Sequence, residues 1–333
     1  MMRLLRNLIL LAVLLPTLLA AWMYHFANTP VTLPQSPYYF DLKQGSTLRG
    51  IARQLVQQGV LREPWSFTAM VRGFGMDQEI KAGNYQFETG LTPLKLFSMI
   101  TNGDVTQSGV MFIEGWTFLQ MREALNQQEG LRHMSMGLSD AELMKSIGAA
   151  ESNPEGWFFP DTYFFSSGTS DLDILKRAYL TMQQRLDAAW SDRSPGLPYR
   201  DSYQALIMAS IVEKETAQGV ERPLIARVFL NRLKSGMRLQ TDPTVIYGLS
   251  EAFDGNLRKG DLLADTPYNT YTRVGLPPTP IAMPGIASIE AVLHPANSNA
   301  LYFVAKGDGH HAFSTTLAEH NRAVAHYQLK AKR

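Results

Sequence analysis

The sequence contains no cysteine among its 333 residues. Thiol nucleophiles, thiolate metal sites and disulfides are therefore excluded. Charge is scarce and balanced, with 31 basic against 30 acidic residues and a net +1. Such a chain lacks the electrostatic footprint of a nucleic-acid binder, so no nucleic-acid partner is expected. No HExxH occurs, and His294, His310, His311 and His320 match no common zinc spacing. A hairpin expected near 301–315 would also set His310 and His311 on opposite faces, so neither a metal nor another cofactor is expected. The last lack is local: no charged residue occurs from Leu8 to Tyr24, an apolar run that contains Pro16.

That run is about the shortest that spans a bilayer. Arg3 and Arg6 precede it and no lysine or arginine follows until Lys43, which puts the N-terminus in the cytoplasm and the remainder outside. A cleaved signal peptide shares the charged start and apolar middle. Here Ala20-Ala21 leads into Trp22, Tyr24 and Phe26, an interfacial aromatic belt rather than a polar mature start, which favours a retained single-pass anchor. The expected order is a cytoplasmic segment 1–7, an anchor 8–27 and a stalk 28–37 with three prolines.

The rest is long enough for two or three compact domains. A glycine, a threonine two residues on and an apolar residue four later recur at Gly45/Thr47/Ile51, Gly90/Thr92/Leu96 and Gly115/Thr117/Met121. Each predicts strand, turn and helix with threonine as N-cap, and Thr117 with Gln120 adds a capping box. Strands are expected at 38–42, 84–87 and 110–113. Units of this kind suit a glycan-binding module but are also common packing solutions. The aromatic segment 155–165 around Pro160-Asp161 fits a sugar site or, better, structural packing. Helices follow at 171–189, 202–217 and 221–235, the last with Pro223 in its first turn and Gly236 at its end.

Met208 to Ala217 reads MASIVEKETA, an apolar run ending in two carboxylates. At roughly 100° per residue, Glu215 lies on one stripe with Ile207 and Ile211, whereas Glu213 points away with Leu206, Ala209 and Ser210 on a face expected to be wetter. Burial without a cation raises a carboxyl pKa and prepares a general acid. The plainer reading is that both acids flank Lys214 on a solvated helix end. From Leu239 to Gly285 the chain turns polar, aromatic and proline-fixed, as expected for the rim of a ligand cleft.

MASIVEKETA, VFLNRLKSGMRLQTDPTVIYG, YNTY, GLPPTPIAMPG, YFVAKGDGHHAFSTT and EGWFFPDTY together resemble the YceG-like family of endolytic murein transglycosylases along nearly the whole chain. The resemblance implies an α+β protein: an N-terminal transmembrane helix, a small LysM-like β/α module over 38–108, an intermediate α+β subdomain over 109–198, and a larger mixed α+β catalytic domain over 199–333. It implies an inner-membrane enzyme with its catalytic domain in the periplasm. Such an enzyme cuts peptidoglycan glycan strands between N-acetylmuramic acid and N-acetylglucosamine to leave 1,6-anhydro ends, beside peptidoglycan synthases of the penicillin-binding class. The family's catalytic glutamate falls on Glu215. Glu213, Gln240, Asp242, Tyr247, Asn269 and Tyr271 are expected around the substrate, Asp242 alternatively being a turn residue before Pro243. A muramidase-type hydrolase using Asp242 or Glu213, and a non-catalytic wall-binding scaffold, are the competing readings. Thr279 stands where the family often has glycine, and a changed local turn is expected there.

Overall fold

The computed structural model describes residues 2–43, 45–75, 80–104, 108–166 and 168–329. Parts of the segment 1–7 expected in the cytoplasm and of the module expected over 38–108, including 105–107 at its end, lie outside these residues. The chain divides into two compact units, Met1–Ser108 with Phe164–Gly168, and Gly109–Tyr163 with Thr169–Arg333.

The first unit starts with helix α1 (Met2–Asn28), which runs through Pro16. Its stretch Leu10–Asn28 is long and apolar enough to cross a membrane, with a mean hydropathy of 1.7. Strand β1 (Tyr38–Leu42), helices α2 (Leu48–Gln57) and α3 (Pro64–Gly73), strand β2 (Gly83–Phe87) and helix α4 (Pro93–Asn102) follow. β1 and β2 pair antiparallel, Phe40 opposite Tyr85. Alternation sends Phe40, Leu42, Tyr85 and Phe87 inward, where they meet Ile51, Leu55, Phe67 and Leu96 in one core. Thr47 and Thr92 cap α2 and α4 through their hydroxyls, as their spacing predicts. The glycines two residues earlier, Gly45 and Gly90, have φ of +79° and +88°. A side chain there would strain the turn that aims each threonine at its helix. Helix α3 carries no such signature and was not expected; Glu63 caps it, accepting from Trp65 and Ser66 N–H.

From residue 108 onward the chain forms β3 (Ser108–Met111), α5 (Phe118–Asn126), α6 (Asp140–Ser146), β4 (Thr162–Phe165), α7 (Asp171–Ser191), α8 (Ser202–Glu215), α9 (Arg222–Lys234), α10 (Asp242–Leu249), α11 (Lys259–Leu263), α12 (Ile286–Leu293), β5 (Tyr302–Ala305), β6 (His311–Ser314) and α13 (Leu317–Val324), and all of these but β3 and β4 lie wholly in the second unit. The fold is mixed α+β, with only two-stranded sheets, β1–β2, β3–β4 and β5–β6, among the described residues. Strand β3 ends at Met111, two residues earlier than its alternation suggests. There Trp116 N–H closes a turn onto Ile113 O. The Thr117 capping box forms on α5. Aromatic residues of 155–165 go to packing: Trp157, Phe158, Phe159, Tyr163 and Phe165 are all buried. No helix was expected at 242–249 or 286–293. Proline at the start of α10 sits in the first turn, where its missing N–H costs nothing.

Candidate active site

Helix α8 forms the floor of the site. It packs against α7, α9, α10 and α12, and every residue from Ala205 to Val212 is buried. This corrects the expectation of a wet face: Leu206, Ala209 and Ser210 are enclosed, and Ser210 Oγ accepts from Ile281 N–H at 3.0 Å. Neighbouring helices cover both sides, so helical phase sorts the two acids by partner rather than by exposure.

The Glu213 side chain is only 5% exposed and pairs with Arg222 at 3.1 Å. Its second oxygen accepts Gly285 N–H at 2.9 Å. A carboxylate bonded to a guanidinium and a backbone donor is held in place. Glu215 is the last residue of α8, because Thr216 turns to an extended conformation (φ −149°, ψ 135°). It has no cation in direct contact among the described residues; Thr241 Oγ1 donates to Oε1. Burial pushes its pKa from 4.5 up to about 6, which the Thr241 bond moderates, the charge of Asp242 reinforces, and His311 and Arg232 oppose. The side chain keeps some exposure, so it remains open to a ligand.

Around this carboxyl the polar stretch closes a small network. Gln240 is exposed, with φ of +54°, a left-handed conformation uncommon for glutamine. Its N–H donates to Thr270 O at 3.1 Å. Thr241 N–H donates to Thr270 Oγ1 at 3.1 Å. Asp242 is exposed at the start of α10 and accepts from Tyr271 OH at 2.5 Å. Burial and this carboxylate raise the Tyr271 pKa, so the phenol stays a donor. Arg232, 8% exposed, is consumed by Leu301 and Leu239 carbonyls at 2.7 Å each.

The structure thus brings Glu215, Gln240, Asp242 and Tyr271 into one neighbourhood, joined through Thr241 and Thr270. It sets three expected residues apart. Glu213 is engaged with Arg222. Asn269 is fully buried, its amide donating to Asp261, Leu262 and Ala264 carbonyls and its oxygen accepting Tyr271 N–H. It braces the loop from within. Tyr247 faces another way, donating to Glu155 at 3.1 Å and meeting Tyr268 edge-on.

Glu155 was not singled out from the sequence. It is 5% exposed, and burial lifts its pKa to about 7 against donation from Phe118 N–H and Tyr247 OH. Its place inside an aromatic run hid it. Thr279 donates to Pro280 O at 2.8 Å and is bonded to Tyr268 OH at 2.8 Å, tying its turn to Tyr268. Gly156, at φ +84°, lies so close to Pro280 that a Cβ would overlap the ring, which locks the EGWFF segment onto GLPPTPI.

His310 and His311 converge on one carboxylate, Glu221, with Nδ1 at 3.2 and 2.7 Å. The expectation of opposite faces fails because His310 lies in the turn before β6 rather than in a strand. No group of three metal-ligating side chains occurs among the described residues. Two cavities of about 660 Å³ lie in this unit, one lined by Arg185, Asp192, Glu290 and His294, the other by Glu155, Arg122 and Tyr247. Neither is lined by Glu215, whose chemistry rests on its own partners.

The sequence model of the YceG-like family matches residues 40–326. A Bacillus subtilis protein named endolytic murein transglycosylase is 32% identical over 305 residues, covering 86% of this chain and 84% of that one. A Streptococcus pneumoniae protein of the same name is 27% identical, covering 86% of this chain and 57% of its own length. The crystal structure of a YceG-like protein from Listeria monocytogenes, 29% identical, aligns with a TM-score of 0.54 over 86% of this chain and 99% of that one.

Proposed function

This chain belongs to the YceG-like family, and from that premise we propose that it is a membrane-tethered, endolytic lytic transglycosylase acting on peptidoglycan. Its substrate is the glycan strand, cut between N-acetylmuramic acid and N-acetylglucosamine to leave a 1,6-anhydromuramoyl end. The observation that carries this reading is a lone acid: Glu215 ends a buried helix, has no cation in direct contact among the described residues, and has a pKa raised to about 6. The naming of the relatives supports the same reaction class.

Most glycosidases use two carboxylates. Here Glu213 is occupied by Arg222 and Asp242 by Tyr271, so one acid serves twice. Neutral Glu215 gives its proton to the glycosidic oxygen as the C1–O bond breaks. The muramoyl C6 hydroxyl then bonds to C1 and returns its proton to Glu215, so the ring closes without water. Gln240, Asp242 and Tyr271 flank the sugar, Asp242 countering positive charge that builds at C1. Tyr247 and Asn269 act at a remove, through α10 and through the loop, and Glu213 holds the helix end.

The first unit is read as a LysM-like module over 38–108. What supports this is the order β1-α2-α3-β2 with the two strands paired antiparallel. The remainder is read as an intermediate subdomain over 109–198 and a catalytic domain over 199–333. α1 is read as a retained anchor, since Met23, Phe26 and Ala27 join the core of the first unit. The charge pattern sets its N-terminus in the cytoplasm and the enzyme in the periplasm, where peptidoglycan synthases are the expected neighbours.

The test is digestion of purified glycan strands by the wild type and by Glu215→Gln, with mass spectrometry of the product ends. Anhydro ends from the wild type and none from the variant are expected. Reducing ends from the wild type would establish a hydrolase, and unchanged cleavage by Glu215→Gln would remove the assigned acid.

A further inference from the structure

The outer end of α1 fixes where the bilayer surface lies. Met23, Phe26 and Ala27 pack into the first unit's core, so lipid cannot surround the helix beyond Trp22. Upstream, Leu10, Leu11, Val13, Leu14, Leu15, Leu18 and Leu19 are exposed apolar side chains suited to lipid. Trp22 stacks on Trp65 at 4.8 Å with rings within 7° of parallel. Trp65 lies in the first turn of α3 and is 59% exposed, and Tyr24 is 74% exposed. The contact therefore holds the N-terminal end of α3 at the depth of the headgroups, where indole rings partition.

From that level a cationic groove runs between α2 and α3. A cavity of about 370 Å³ is lined by Arg49 and Arg53, one turn apart on α2, and by Trp65, Thr68, Ala69 and Arg72, one face of α3. The three arginines are exposed, and none of them has an acidic partner among the described residues. Three guanidinium groups lining one groove beside an interfacial tryptophan form a phosphate-binding arrangement. Basic residues at a membrane surface are attracted to anionic lipid over about a Debye length. In a chain with a net charge of only +1, their convergence is local and not a by-product of bulk charge.

We infer that the groove of Arg49, Arg53, Trp65 and Arg72 is a binding site for the phosphodiester headgroup of an anionic phospholipid. The lipid's phosphate sits among the guanidinium groups while its chains stay in the leaflet beside Trp22. Occupancy fixes the first unit against the membrane and limits its swing about the end of α1. The site rests on the anchor reading and is independent of the chemistry at Glu215.

Full-length protein is to be placed in phosphatidylcholine nanodiscs carrying a trace of dansyl-labelled phosphatidylglycerol or dansyl-labelled phosphatidylcholine, with energy transfer from tryptophan measured. The wild type should transfer at least twofold more to the anionic probe, and the preference should fade as salt rises. Arg49→Gln/Arg53→Gln/Arg72→Gln should transfer equally to both probes with an unchanged unfolding midpoint. The corresponding triple lysine variant should regain part of the preference. Equal transfer by the wild type, or a preference that survives in the triple glutamine variant, overturns the site. Submillimolar binding of inorganic phosphate in neutral discs would reassign it to soluble phosphate. A chain that never co-elutes with discs removes the anchor and this site together, leaving the product-end test of Glu215 standing.

Discussion

Glu215 owes its properties to a balance that one substitution can expose. Burial is the largest influence on it and favours the neutral form, and its pKa near 6 lies above the unfolded value of 4.5. If protonated Glu215 starts the reaction, kcat/KM on glycan strands should be flat below about pH 6 and fall tenfold per unit above it, down to the solubility limit of the substrate. A pH profile of initial rates checks this; a rise across pH 6 to 7 would sink the assignment. The same shift links to stability. A raised carboxyl pKa gives stability that is complete below 4.5 and is lost as pH climbs through 6, about 2 kcal/mol in all. Glu215→Gln carries no such charge. Its unfolding free energy relative to wild type should therefore improve between pH 4.5 and 7, as read by urea denaturation at each pH. Helical phase singles out Glu215 in the sequence through a difference in burial that the structure does not show, since the Glu213 side chain is enclosed as well. The Thr241 bond and the Glu213–Arg222 pair were not legible there, because each partner comes from another element and only the tertiary fold brings them within reach.

At the scale of elements, α10 links Glu215 and Glu155, two carboxyls that burial raises. Thr241 and Asp242 begin it beside Glu215, while Tyr247, farther along, reaches Glu155. In sequence, Asp242-Pro243 reads equally as a turn or as a helix start, and the polar composition of 239–285 tilts the reading toward loop. The helix forms because Pro243 is tolerated in the first turn and Thr244 and Val245 are buried. The strand–turn–helix units of the first half were legible because their capping chemistry is local. α12 was not, since an apolar segment of eight residues lacks a side-chain cap. The loop opposite α10 depends on Asn269. Asn269→Ala would leave three carbonyls short of a donor and Tyr271 N–H unpaired, at about 2–4 kcal/mol. Because the same loop presents Thr270 to Thr241 and Tyr271 to Asp242, cleavage should fall at least tenfold along with stability. Chemical denaturation and glycan assays on the same preparation check both. A stability change under 0.5 kcal/mol would mean that the amide does not brace the loop.

At the scale of the molecule, helix α1 is part of a folded unit rather than a segment ahead of one. The sequence suggested a helix, then a proline-bearing stalk, then a module. In the structure the last turns of α1 contribute Met23, Phe26 and Ala27 to the core that holds Phe40, Phe67 and Phe87, and Trp22 stacks on Trp65. Past the helix, Val31 N–H donates to Leu91 O at 2.8 Å, so the stalk too is sewn onto the unit. Periodicity alone could not reveal this, because an apolar residue at the end of a membrane run has the same pattern whether lipid or protein covers it. A chain starting at Thr29 should fold its first unit less well. Losing one buried alanine, two partly buried large side chains and an indole stack costs about 2–3 kcal/mol. By hydrogen exchange in one detergent, amides of β1, β2 and α4 should open roughly thirty- to hundredfold more readily than in the full chain. Amides of α8, in the other unit, should keep their protection. Equal protection of β2 and α4 in the two chains would show that α1 contributes nothing to this core and would return it to the role of a plain tether.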